Sequence, residues 1–135
     1  MCADENKRLV HFWFEEAWNK GRTEIIDQLV APDCLIYGLG DPLRGPDPFK
    51  EFHAQYTSAF PDLKIEIHQV VAEGDWTAQR FGGVGTHTGD GLGVAATGNP
   101  VSFTAMSFTR WKEGRMIEAH NTVDFAELHR VVGLT

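Results

Sequence analysis

Asp124 and His120 close the run Glu118-Ala119-His120-Asn121-Thr122-Val123-Asp124 near the C-terminal end of the chain. In an extended strand, residues two apart share a face. His120, Thr122 and Asp124 then line one face, and Ile117, Ala119, Asn121 and Val123 the other. A face carrying His, Thr and Asp is either solvent or the polar floor of a pocket. The four-residue step separates His120 from Asp124 by roughly 13 Å. They cannot bond each other, but they can address two ends of one substrate. Burial against aromatic rings would raise the pKa of the Asp124 carboxyl and suit it to remove a carbon-bound proton near neutral pH. His120 would then donate a hydrogen bond to a carbonyl oxygen and hold the developing enolate. The competing role for Asp124 is structural, since an Asp just before Phe125-Ala126-Glu127-Leu128 is a helix cap.

Other polar candidates are scattered. Arg80 stands in mid-strand and needs a partner, either Asp124 or Glu118 across the sheet or a salt bridge on an edge or dimer face. Tyr37 and Tyr56 can each donate a hydrogen bond if buried. His53 shares a helix with Phe49, Phe52 and Tyr56 and can reach a cavity or face solvent. His87 reads as structural; His11, His68 and His129 read as surface residues. No histidine pair has HxH or HExxH spacing, so no metal site and no cofactor is expected.

Apolar periodicity defines the elements that must position these groups. Leu9, Val10, Trp13, Phe14, Ala17 and Trp18 form one helical stripe, ended near Gly21. A second short helix begins at Thr23 and stops before Pro32. Cys34 to Leu39 is a short strand. Asp47-Pro48 opens a third helix carrying Phe49, Phe52, Tyr56 and Phe60. From Leu63 the period falls to two. Strands Leu63–Val71 and Trp76–Thr88 flank a Glu73-Gly74-Asp75 turn. Gly89 to Asn99 is a glycine-rich loop without a phosphate-binding pattern. Val101–Trp111 and Arg115–Asp124 follow, joined at Lys112-Glu113-Gly114, and Ala126–Val132 is a terminal helix. Helices segregated from a meandering sheet give an α+β class. The chain reads as one domain, 1–135, with the aromatic side chains, including Trp13, Phe60 and Phe103, as core and pocket wall.

Composition excludes several partners. With 12 Lys+Arg against 19 Asp+Glu, the chain carries −7. That disfavours nucleic acid, whose binders place cations on phosphates, and also an anionic membrane surface. Cys2 and Cys34 are too few for a disulfide framework. No apolar run is long enough to span a bilayer, and Met1 to Arg8 has no apolar signal core, so the expectation is a cytoplasmic protein. Nine Phe and four Trp in a small acidic chain leave a mostly neutral organic compound as the expected ligand.

The second half also resembles a family. Phe60-Pro61-Asp62-Leu63, Ala72-Glu73-Gly74-Asp75, Arg80, Gly85-Thr86-His87-Thr88-Gly89, Thr97-Gly98-Asn99-Pro100-Val101 and Gly114-Arg115-Met116-Ile117-Glu118-Ala119-His120, with Asp124, together resemble the SnoaL-like polyketide cyclases of the nuclear-transport-factor-2-like superfamily. The aromatic N-terminal helix fits as well. The resemblance implies a cone-shaped fold, three N-terminal helices on a curved, mostly antiparallel sheet, and a homodimer built on the sheet's outer face. It implies metal-free, cofactor-free aldol cyclisation or isomerisation of a small apolar carbonyl compound. An aspartate at the end of the last strand serves as acid and base there, in a pattern like Glu-x-Trp-x-x-x-Asp. Asp124 matches it, and His120 replaces the Trp. Two other classes share this fold. A limonene-epoxide-type hydrolase needs an Asp-Arg-Asp arrangement, but Arg80 is followed by Phe81 and Gly82. A non-catalytic small-molecule-binding module is the other alternative.

Overall fold

The computed structural model describes residues 3–134, so Cys2 lies outside the described residues. In chain order the elements are α1 (Ala3–Phe12), a π-helical continuation (Trp13–Asn19), α2 (Glu24–Leu29), β1 (Val30–Tyr37), β2 (Leu43–Arg44) and α3 (Pro46–Ala59). They continue as β3 (Lys64–Glu73), β4 (Trp76–Thr86), β5 (Pro100–Lys112), β6 (Arg115–Val123) and α4 (Phe125–Val132). The six strands form one sheet in the order β2-β1-β6-β5-β4-β3. Only β1 against β6 is parallel. This is the expected α+β architecture, with the early strand recruited beside the last one.

Alternation decides which sheet face is buried. Along β5, Val101, Ala105, Ser107, Thr109 and Trp111 point inward, and every intervening residue from Ser102 to Arg110 except Phe103 is exposed. Phe103 is half-buried and keeps the inward phase. Burying this face against the helices is the main apolar driving force of the fold. The core joins Val10, Trp13 and Phe14 of the N-terminal helix to Ile36, Phe49, Phe81 and Trp111.

Three local features shape this interior. First, the N-terminal helix does not end at Phe12 but widens into π-helical geometry. The Lys20 amide donates back five residues, to the Glu15 carbonyl, at 2.9 Å. Second, β6 carries an irregularity: Trp111 pairs with Met116, but Arg110 pairs with Glu118. The slip puts both Met116 and Ala119 inside, as a bulge does when it adds a residue to one strand. Third, β1 starts at Val30 and runs through Pro32 rather than beginning at Cys34. Proline has no amide to donate, and the β1–β6 register shifts between Val30 and Leu35.

Candidate functional site

The concave face of the sheet and the helices form a partly open cavity of about 100 Å³. Its wall is mostly apolar and rich in aromatic rings. Trp13, Phe14 and Trp18 enter from the π-helical segment, Phe49, Phe52, Tyr56 and Phe60 from α3 and its end, and Phe125 and Leu128 from α4. The widened turn lets three bulky residues of seven share one cavity, and π-helical turns recur at functional sites.

The helices are locked to the sheet by specific polar contacts. Asn19 is a two-way clamp: its Oδ1 accepts from the Ile65 amide at 2.6 Å and its Nδ2 donates to the Ile65 carbonyl at 3.0 Å. His53 is 1% exposed and its Nε2 donates to the Ala17 carbonyl at 2.6 Å. That carbonyl lies in the last turn of its helix, where acceptors lack intrahelical partners. Burial pushes the His53 pKa down. His53 therefore joins α3 to the π-helical turn, beneath Trp18, and is not among the cavity-lining residues.

Polar groups reach the cavity only as neutral side chains. Gln79 of β4, Ser107 of β5 and Asn121 of β6 are in direct register across three strands. All three line the cavity, as does Thr109. Gln79 Nε2 donates to Ser107 Oγ at 2.7 Å and to Thr109 Oγ1 at 2.9 Å. Asn121 Nδ2 donates to the Tyr37 carbonyl at 3.1 Å. Tyr56 is the one ionisable side chain in the lining, and burial pushes its pKa up to about 12. Its hydroxyl shares a hydrogen bond of 3.2 Å with His129 Nε2 on α4.

Besides His53, the expected site residues divide into three groups. Trp13, Tyr56, Phe60 and Phe103 line the cavity. His120, Tyr37 and Arg80 do not. His120 is exposed on the outer face, donates to Glu118 Oε2 at 2.6 Å and stacks on Tyr37 with ring centres 5.0 Å apart. Arg80 is exposed on the same side, paired in register with Met106, so it meets neither Asp124 nor Glu118 in an ion pair among the described residues. The physical reason is the alternation itself. Ala119, Asn121 and Val123 hold the inward phase of β6, so His120 and Thr122 take the solvent one. Asp124 forms the third group. It is exposed, caps α4 and accepts from the Glu127 amide at 3.4 Å. It is not walled by aromatic rings, yet both its chain neighbours, Val123 and Phe125, line the cavity.

Sequence reasoning missed Gln79, Ser107, Thr109, Asn121 and His129. The same alternation that marks Phe81 and Phe103 as inward marks Gln79 and Ser107 as inward too. A polar residue in phase with buried apolar ones was the available signal. His87, expected to be structural, is fully buried; its Nδ1 accepts from the Thr97 amide at 3.2 Å and pins the 87–99 connection. Among the described residues, no three His, Cys, Asp or Glu side chains converge as metal ligands would. No helix among them is long and apolar enough to cross a membrane.

Comparison with known proteins places this architecture. The chain matches the family model of the SnoaL-like polyketide cyclases over residues 8–131 and belongs to that family. Among curated relatives, the aklanonic acid methyl ester cyclase AcmA of Streptomyces galilaeus is 25% identical over 121 residues, covering 87% of this chain and 84% of the relative. A solved SnoaL-like protein of Jannaschia sp. CCS1, a candidate polyketide cyclase, superposes with a TM-score of 0.87 at 21% identity, covering 98% of this chain and 94% of its own. IdmH of Streptomyces antibioticus, also a candidate polyketide cyclase, gives 0.80 at 27% identity over 94% and 97%. The fold is the nuclear-transport-factor-2-like α+β fold of these neighbours.

Proposed function

We propose that the chain is a cofactor-independent enzyme that closes or rearranges a ring in a small, uncharged, largely apolar carbonyl compound, with Asp124 as its acid and base. The cavity is the observation that carries this reading. Its lining holds no carboxylate, guanidinium, ammonium or imidazole. Burying a charged ligand there would leave it unpaired, at a cost of several kcal/mol. Asp124 stands between two lining residues, so a ligand filling the cavity and extending past Phe125 covers the carboxylate and displaces its long bond to Glu127. The carboxylate then takes a proton from the carbon next to a carbonyl. The resulting enolate carbon attacks a second carbonyl of the same molecule, one carbon–carbon bond forms, and the new alkoxide recovers the proton. Substrate and product are isomers, and no oxidant or metal is consumed.

Aklanonic acid methyl ester, the compound in the relatives' names, is the first to try. Wild type is expected to convert it or a smaller analogue. Asp124→Asn should lower kcat by about 10²-fold or more, the usual scale for a lost general base, while ligand binding persists. Equal rates at preserved fold would remove Asp124 from the chemistry.

One observation favours a second reading. Asp124 is exposed and already serves as a cap, which suits a non-catalytic binding module. That reading predicts binding without turnover in wild type and variant alike. The epoxide-hydrolase reading has no such support, since no acid–arginine set lines the cavity. A homodimer is part of the proposal. The sheet's outer face exposes Val71, Val84, Met106 and Phe108, a patch that a second copy would cover.

A further inference from the structure

Among the described residues, the cavity wall contains one fully buried polar atom without a protein partner. Gln79 is 5% exposed, and its Oε1 accepts no hydrogen bond among the described residues. Both Nε2 hydrogens are committed, one to Ser107 Oγ and one to Thr109 Oγ1. A primary amide has only those two donors and one acceptor oxygen. The donor inventory therefore leaves three functions free in one place: the Gln79 acceptor and the hydroxyl hydrogens of Ser107 and Thr109. Ser107 is 8% exposed and Thr109 3%, and neither hydroxyl donates to another group among the described residues. An unmet acceptor in so apolar a wall costs stability, and the two bonds that tie Gln79 to β5 use only its donors. Phe81, two residues on, fills the same face with an apolar ring.

We infer that Gln79, Ser107 and Thr109 form a recognition site for one hydroxyl group on an otherwise apolar ring compound. A hydroxyl donates to Gln79 Oε1 and accepts from Ser107 or Thr109, so each free function finds its complement. A ketone oxygen at the same point would accept from the hydroxyls but face the Gln79 oxygen with a second lone pair. A methyl group would satisfy none of them. The trio also sets the polarity of the ligand along the cavity. The Asp124 amide donates to the Thr104 carbonyl, and Ser107 lies three residues further along β5, roughly 10 Å away. A compound reaching from Asp124 to the trio is two or more fused rings long, with its hydroxyl at the Gln79 end. This inference rests on the reading of the cavity as the ligand site and does not require catalysis.

Calorimetric titration of the full chain with 2-naphthol and 2-methylnaphthalene tests it, because the pair differs only by hydroxyl for methyl. The quantity read is the ratio of the two Kd values in wild type and in Gln79→Met. The ratio should shift about tenfold against 2-naphthol in the variant, the effect of one buried hydrogen bond. Binding of 2-methylnaphthalene should hold or tighten. Thr109→Val, nearly isosteric, should move the ratio in the same direction and serves if Gln79→Met does not fold. An unchanged ratio in folded variants, with both probes bound, overturns the hydroxyl site and leaves the cavity reading intact. No binding of either probe to wild type overturns both.

Discussion

At the scale of single residues, the cap formed by Asp124 and its proposed role as acid and base can be separated by substitution. It caps α4 through the Glu127 amide. Asn caps about as well as Asp, whereas Ala loses roughly 0.5–2 kcal/mol. Urea unfolding should therefore find Asp124→Ala less stable than wild type by about 1 kcal/mol and Asp124→Asn close to wild type. If Asn destabilises as much as Ala, the carboxylate contributes more to the fold than a cap. Cys34 offers a second check. Its thiol is fully buried, and desolvation, followed by Asp33 and Glu118, pushes its pKa up to about 12. Peptide-resolved alkylation at pH 8 should leave Cys34 unmodified in the folded chain and label it in denaturant. Residue roles were only partly legible in the sequence. The aromatic residues announced themselves by spacing, but His120 and Asn121 differ by one position. Only the packing of β6 decides which of them faces the cavity.

At the scale of elements, the sequence pattern carried most of the layout. The alternation of β4 and β5 and the stripes of the N-terminal helix and α3 appear where the periods place them, whereas β3 shifts register between Ile67 and Gln69, which turns Val71 outward although strict alternation puts it on the face of Ile65. What it missed were the irregularities. A π-helical turn and a bulge both arise from tertiary fit, and neither leaves a periodic trace. Gly38 shows how tight that fit is. Its φ of +93° is left-handed, and a Cβ there would stand 1.7 Å from the Asn121 carbonyl oxygen. Gly38→Ala should destabilise by at least the roughly 1–3 kcal/mol of a strained backbone, read from denaturant unfolding. A neutral effect would mean that β1 does not hold this approach to β6. The His53 bridge gives a pH signature. Its folded pKa lies below the unfolded value of about 6.5. The folded state thus favours neutral His53, and this stability is complete above that value and lost as pH falls through it. The melting temperature should drop between pH 7.5 and 5.5, and less so in His53→Gln. Parallel pH profiles for the two proteins would contradict the bridge.

At the scale of the whole molecule, the two sheet faces divide the work. The inner face makes an uncharged cavity, and the outer face carries Val71, Val84, Met106 and Phe108 beside the stacked Trp76 ring. Light scattering should return twice the 15.1 kDa chain mass, and Phe108→Glu should return a single chain. The proposed chemistry is proton transfer at carbon by Asp124. Its most direct measurement needs no natural substrate: deuterium uptake into 2-tetralone, at the carbons beside its carbonyl, in heavy water with and without the protein. Exchange above the buffer rate is expected with wild type, and a return to the buffer rate with Asp124→Asn. Exchange that wild type does not accelerate, or that Asp124→Asn accelerates equally, would contradict it.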